Sequence, residues 1–398
     1  MEIFSIMRKV VVASDSFKGC LSSWQVAEAV EKGIHDAAPG CDVVKLAVAD
    51  GGEGSMDALM TTLGGMTEDL VVRDPLGREL QAGYVILEDQ TAVIEMARAS
   101  GLTLLRPDER NPMLTSTYGT GQMISDALDR GCRRFMICIG GSATNDAGTG
   151  MLEALGYRFI DSEGNILRGC GGVLGRISSI DVSNVHPALN ASEFIVACDV
   201  DSPFCGPDGA AYVYGPQKGA TSEMARELDE GMRHFAGVIF RTTGIDVWDM
   251  PGAGAAGGLG GALKAFLKAG MRRGADMVLD AVGFDQAIKD ADMVITGEGR
   301  IDSQTLTGKL PYAVAERAAS RNIPVVAICG CAQVSELPCF ERIIQITPPD
   351  MPLEKAMSPE VSSSAICKLA KLALDVFDSF CELLLSDEGN DVSDAETV

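Results

Sequence analysis

The chain has 398 residues, enough for two domains, and 46% of them are hydrophobic, enough for well-filled cores. Its formal net charge of -23 argues against a general nucleic-acid binder, which needs a basic face, and suits a soluble cytoplasmic protein. Twelve scattered cysteines, three histidines and no C-x-x-C pair argue against a zinc site, and no run approaches 18 apolar residues, so neither a membrane span nor a signal peptide is expected.

Residues 1–6 read as an extension. A short apolar strand, 10–13, runs into the turn SDSFKG, and a helix opening near Ser22 or Ser23 covers about 22–36. Unpaired amides at such a helix start, helped by the helix dipole, can seat an anion. Ser14, Asp15 and Ser16 would line that seat, and Lys18 adds a mobile charge beside it. A strand over 42–49 then ends in DGGEG, 50–54, and a helix follows from about Ser55, which makes a βαβ pattern. DGGEG puts Asp50 and Glu53 on a loop where Gly51 and Gly52 permit close backbone approach. Hydroxyl binding, magnesium binding and proton transfer are all open to it; the plain alternative is a tight turn with Glu53 near a helix start.

The character changes after about residue 70, where antiparallel strands with turns at Pro75-Leu76-Gly77 and Glu88-Asp89 are expected. A helix near 119–130 precedes a buried strand, 134–139, that runs into GGSATNDAGTG, 140–150. Ser142, Thr144 and Asn145 there offer neutral hydrogen-bonding groups for phosphate or hydroxyl. Thr144 stands where a hydrolase elbow needs glycine. A strand over 193–197 leads to CDVDSPFCGPDGA, which places Asp199 at a strand end, and GPQKGA presents Lys218 between glycines. An amphipathic helix covers about 222–243. PGAGAAGG, 251–258, holds a literal G-x-G-x-x-G, but the dinucleotide fingerprint needs a strand just before it and WDMP is poor strand material. A helix start receiving an anion through Gly254 and Gly257 fits better.

From about 275 the βα alternation resumes. A strand over 293–296 ends in GEGRIDSQTLTGK, 297–309, which brings Glu298 and Asp302, as metal candidates, beside Arg300 and Lys309, as anion-binding candidates. Leu310 replaces the Ser or Thr of a P-loop, and the protein-kinase signatures are absent. A surface ion-pair loop is the bland alternative. Later come a helix over 311–321, the buried strand IPVVAICG, the short strand RIIQI and a helix over 362–384. The expected fold is α/β: a discontinuous, doubly wound, mostly parallel-sheet domain, 7–70 plus 275–386, interrupted by an inserted α/β or α+β domain, 71–274, with an acidic disordered tail, 387–398. Ligands of such sheets bind beyond the carboxyl ends of the strands, so the loops at Ser14, Asp50 and Gly297 would share one rim.

Taken in order, SDSFKG, DGGEG, GGSATND, CDV, GPQKGA, GAGAAGGLG and ITGEGRID…TGK resemble the glycerate kinase type 1 family, over about 7–330 and loosely to 386. Cys20, Ala147 and Ser202 depart from residues common in the family, but none removes a charged group. The resemblance implies one domain inserted in another and ATP-dependent phosphorylation of D-glycerate, to 2-phosphoglycerate or, in some assignments, 3-phosphoglycerate. A kinase of that kind works by positioning and charge stabilisation around ATP and magnesium. Lys18, Asp50 and Asp199 are then the catalytic candidates, with Asp50 ahead of Asp199 as general base, and Arg300 or Lys218 would meet the glycerate carboxylate. The partners are D-glycerate and ATP, with neither nucleic acid nor membrane; homo-oligomer formation is left open. Two rivals are a dinucleotide-dependent oxidoreductase of a small hydroxy acid, resting on 252–257, and a non-catalytic metabolite-binding module.

Overall fold

The computed structural model describes residues 9–307 and 309–377. The start of the first expected domain, the far end of the last expected helix and the tail 387–398 lie outside the described residues. Internal contacts divide the chain into two compact units, Met1–Asp50 with Val278–Val398, and Gly51–Met277. Among the described residues no helix is long and apolar enough to cross a membrane.

The first unit is built on a five-stranded, all-parallel sheet in the order Arg342–Gln345, Val325–Ala332, Met293–Ile301, Lys9–Val12, Asp42–Lys45. Its three interior strands bury apolar stretches, Val10–Val12, Met293–Ile295 and Val325–Ile328, on both faces, while the two edge strands are partly exposed. Val10, Val12, Ile295, Val326 and Ile328 pack on one side against Val26, Val30 and Ile366 from the helices Ser23–Ala37 and Pro359–Ala370. Val11, Val294 and Ala327, one position along, face the other side, where the helix Leu310–Ala319 covers the strands. The helix Ser23–Ala37 starts at a capping box, in which the Ser22 side chain accepts from Gln25 N and the Gln25 side chain from Ser22 N. Gly33 lies in its middle because a Cβ there would overlap the carbonyl oxygen of Cys367 on the facing helix. Gly33→Ala should therefore lower stability by about 1–3 kcal/mol despite alanine's better helix propensity, and a urea melt would read it.

The second unit holds a six-stranded mixed sheet in the order Gly270–Arg272, Glu193–Ala197, Arg134–Cys138, Thr91–Glu95, Glu79–Leu87, Gly65–Arg73. Its first four strands are parallel and the last two form an antiparallel hairpin. The hairpin turn is the expected one: Gly77 takes φ +83 and donates to the Asp74 carbonyl at 2.9 Å. A small antiparallel sheet of Arg158–Ile160, Ile166–Leu167 and Ser179–Asp181 accompanies it. The helix Ser222–Thr243 buries Leu228, Met232, Phe235 and Ile239 along one stripe and ends at Gly244 in the left-handed region.

The crossing expected after residue 70 falls between Asp50 and Gly51. The helix Ser55–Leu63 packs on the strands Glu79–Leu87 and Thr91–Glu95, and its Met56 amide donates to Glu95 Oε1 at 2.9 Å. A βαβ pattern in sequence does not say which sheet its helix covers.

Candidate active site

In the first unit the chain order reverses between the strands Lys9–Val12 and Met293–Ile301, so their carboxyl ends open a crevice. Asp15 stands there. Its amide donates to the Gly297 carbonyl at 2.8 Å, and one carboxylate oxygen accepts from Ser16 N at 2.7 Å. The residue is only 5% exposed. Burial, with the Asp50 charge adding to it, pushes its carboxyl up to about 7, while Lys18 pulls the other way. Lys18 Nζ lies 3.5 Å from Asp50 Oδ2, and its side chain is largely exposed. Burial works against its charge, but Asp50, Asp15 and Glu298 outweigh that and raise its pKa. Three motif residues from two loops thus form one charged cluster.

The expected amide seat after the first strand is partly closed. Phe17 and Leu21 exchange backbone hydrogen bonds at 2.9 and 3.0 Å, Cys20 N donates to the Phe17 carbonyl, and the capping box occupies Gln25 N. Ser14 is buried, its hydroxyl donating to the Asp15 carbonyl and its own carbonyl accepting from Ser23 Oγ at 2.6 Å. Ser14 thus shapes the turn, while the side chains of Asp15, Ser16 and Lys18 stay available to a ligand.

GEGRI, 297–301, is strand rather than loop, because Met293–Ile301 continues to pair with Val325–Ala332 as far as Ile301. Alternation then turns Glu298 and Arg300 to one face. Glu298 accepts from Thr305 Oγ1 at 2.8 Å and from Lys309 Nζ at 3.1 Å. Burial raises its pKa and the Asp302 charge adds to that, against the pull of Thr305 and Lys309. Arg300 is exposed, with Nε 3.6 Å from Asp302 Oδ2.

The second unit carries the other candidates at the carboxyl ends of its own sheet. Gly51 has φ +86, and a Cβ there would overlap the backbone of Gly274, so this glycine lets protein backbone approach, not only a ligand. Gly52 accepts from the Ser55 hydroxyl at 2.8 Å, and Glu53 is exposed. Asp199 Oδ1 accepts from Gly274 N at 2.8 Å. Lys218, on the turn Pro216–Lys218, is buried: its Nζ donates to Ser142 Oγ at 2.8 Å and to the Thr144 carbonyl at 2.7 Å. Burial pushes its pKa down to about 7, with the Asp146 charge opposing. Asp146, also fully buried, accepts from Thr117 N and Oγ1 at 2.8 Å and from Gly150 N at 3.1 Å. Thr144 Oγ1 and Asn145 Oδ1 are buried with no hydrogen-bond partner.

Gly254 and Gly257 lie hard against neighbouring backbone. A Cβ at Gly254 would overlap the Pro203 carbonyl and one at Gly257 the Thr144 carbonyl, while Ala147 N donates to the Gly257 carbonyl at 2.9 Å. Ala256, Gly257 and Gly258 all have positive φ, so the regular helix begins only after them. These glycines admit neighbouring protein backbone. No strand leads into the segment, which removes the dinucleotide fingerprint.

A profile of the Glycerate kinase family matches residues 10–377. The chain belongs to the glycerate kinase family. It is 47% identical over 353 residues to a glycerate kinase of Bacillus subtilis (strain 168), covering 87% of this chain and 92% of that one. It is 45% identical over 323 residues to a glycerate 2-kinase of Escherichia coli (strain K12), covering 81% and 85%. A crystal structure assigned to glycerate kinase 2 from Salmonella typhimurium LT2 superposes with a TM-score of 0.87 at 41% identity, over 94% of this chain and 100% of that one.

Membership in the glycerate kinase family makes the chain a phosphotransferase with a mixed α/β fold and mostly parallel sheets. Three polar groups of this family member escaped the motif reading. Glu95 ends a fully buried strand and binds the Met56 amide, Asp146 holds Thr117, and Thr305 holds Glu298. A lone carboxylate closing an apolar run, as in TAVIE, is the signal that could have found the first.

Proposed function

We propose that this glycerate kinase family member transfers the γ-phosphoryl group of ATP to D-glycerate, giving 2-phosphoglycerate. The cluster of Asp15, Lys18 and Asp50 at the strand-order reversal carries the proposal, because it offers a proton acceptor and a mobile cation side by side. The 2-phosphate product is favoured over the 3-phosphate by the similarity to a relative named glycerate 2-kinase. Asp15 takes the proton of the attacking hydroxyl, since a base works best with a pKa near the working pH. This moves the base from Asp50 or Asp199, first considered, to Asp15: Asp50 faces the Lys18 ammonium, and Asp199 tethers Gly274. Lys18 stabilises charge on the transferring phosphoryl oxygens. Ser16, Arg300 and Lys309 bind anionic oxygens; in the second unit Gly52 and Asn145 meet hydroxyl or phosphate groups, and the Glu53 carboxylate accepts from a hydroxyl.

Magnesium fits the donor set. Glu298 and Asp302 are hard oxygen donors, and the Asp302 charge already opposes ionisation of Glu298, a repulsion that a divalent cation would relieve. Those two residues would hold the ion, which would neutralise charge on the triphosphate. Treatment with EDTA should abolish turnover, and added magnesium or manganese should restore it; full activity of a metal-free preparation would contradict the assignment. A cytoplasmic setting belongs to the same proposal. The direct test is incubation with magnesium-ATP and D-glycerate followed by phosphorus NMR: 2-phosphoglycerate supports it, 3-phosphoglycerate corrects the position, and no phosphoglycerate refutes it.

A further inference from the structure

Lys218 is a buried cation with no carboxylate within ion-pairing distance among the described residues; it is 2% exposed and bonded only to Ser142 Oγ and the Thr144 carbonyl. An unpaired buried charge is costly, so its place in the fold asks for a reason. Its own surroundings are rigid. Gly219, which follows it, has φ +91 and sits so close to the Arg110 carbonyl that a Cβ would overlap it. The Ser142 turn is held from the other side, where Ala143 N donates to the Ser100 carbonyl at 2.9 Å, Leu102 N to Gly141 at 2.9 Å, and Thr115 Oγ1 to Ala143 at 3.0 Å.

An ammonium can only donate hydrogen bonds. When Lys218 is an ammonium, Ser142 Oγ accepts from it, and the hydroxyl's own hydrogen points elsewhere. Lys218 is the only hydrogen-bond partner of that hydroxyl among the described residues, and Ser142 keeps 8% of its surface exposed. Beside it Thr144 Oγ1 is buried and unpartnered. We propose that Ser142 donates its hydroxyl hydrogen to an anionic oxygen of a substrate, and that Lys218 acts as a positioning residue that fixes and polarises that hydroxyl without touching the ligand. The oxygen belongs either to the carboxylate of the acceptor acid or to a phosphoryl group of the donor nucleotide. This replaces a direct contact between Lys218 and the glycerate carboxylate, which its burial and bonds disfavour. Charge delivered through a hydroxyl gives a short, directional donor in a place where a free lysine would be mobile.

The inference rests on the kinase assignment for the identity of the two ligands, so its test reads binding rather than turnover. Calorimetric titration of the full chain with D-glycerate and separately with ATP, on wild type, Ser142→Ala, Ser142→Thr, Lys218→Met and Ser142→Ala with Lys218→Met, separates the cases. Ser142→Ala and Lys218→Met should each weaken the same one ligand by about 10- to 100-fold, the loss of one hydrogen bond to a charged group, and leave the other unchanged. The double variant should bind no more weakly than Lys218→Met alone, and Ser142→Thr should recover most of the affinity. Weakened glycerate binding assigns the carboxylate; weakened ATP binding assigns the phosphoryl group. Wild-type affinity for both ligands in Ser142→Ala, equal losses for both, or additive losses in the double variant overturn the proposal. Should Lys218→Met not fold, the Ser142 pair decides alone. A wild type that binds both ligands but transfers no phosphoryl group refutes the reaction and leaves the binding comparison standing; one that binds neither refutes both.

Discussion

Asp15→Asn should lower kcat by about two to four orders of magnitude, the usual range for a lost general base, with ATP affinity within severalfold of wild type. Asparagine keeps the shape that accepts from Ser16 N and leaves the backbone bond to Gly297 intact, so the fold should survive. The wild-type pH profile carries the stronger check. A base must be deprotonated to act, so kcat should fall as pH drops below about 7, the value to which burial and the Asp50 charge push this carboxyl. In Asp15→Asn that acid limb should vanish. In Asp50→Asn it should move to lower pH, because the charge that raises the Asp15 pKa is gone. A limb that persists in Asp15→Asn and disappears in Asp50→Asn would return the base to Asp50.

Lys18→Ala should cost about two to three orders of magnitude in kcat, comparable with removing one preorganised donor from a developing oxyanion. It has a second signature. The Lys18 charge lowers the Asp15 pKa, so its loss should shift the acid limb upward, opposite to the shift in Asp50→Asn. Lys18→Arg should keep the limb near its wild-type position, since charge is retained, while recovering only part of kcat because a planar guanidinium replaces a compact ammonium. Near-normal turnover in a folded Lys18→Ala protein removes this residue from the site.

The strands of the first unit were legible because buried parallel strands are short β-branched runs, and those at Val10 and Val325 are nearly uninterrupted. The hairpin turn at Gly77 and the helix Ser222–Thr243 were legible through turn chemistry and apolar periodicity. Which sheet the helix Ser55–Leu63 would cover was not, since its partners Glu79–Leu87 and Thr91–Glu95 come later in the chain. Glycine density was the least specific signal. It marks close approach but not what approaches, and at Gly51, Gly254 and Gly257 the neighbour is protein backbone. Charge at a strand end was readable at Asp15 and Lys18, whereas the burial of Lys218 depends on Ser142 and Thr144, more than seventy positions away.

The place of the strand Lys9–Val12 has a consequence for how the chain is made. It is an interior strand of its sheet, yet its partner Met293–Ile301 lies far along the chain: Thr296 Oγ1 donates to the Ala13 carbonyl across 283 residues. At roughly 5–20 residues per second, a ribosome needs about 15 to 60 s to deliver that partner. During that interval the amino-terminal βα segment has only the strand Asp42–Lys45 to pair with and leaves one apolar edge open. The second unit, contiguous from Gly51 to Met277, can close while the first waits. The nascent chain is thus exposed to wrong pairing at its amino terminus rather than at its middle, and ribosome-associated chaperones would be needed there first.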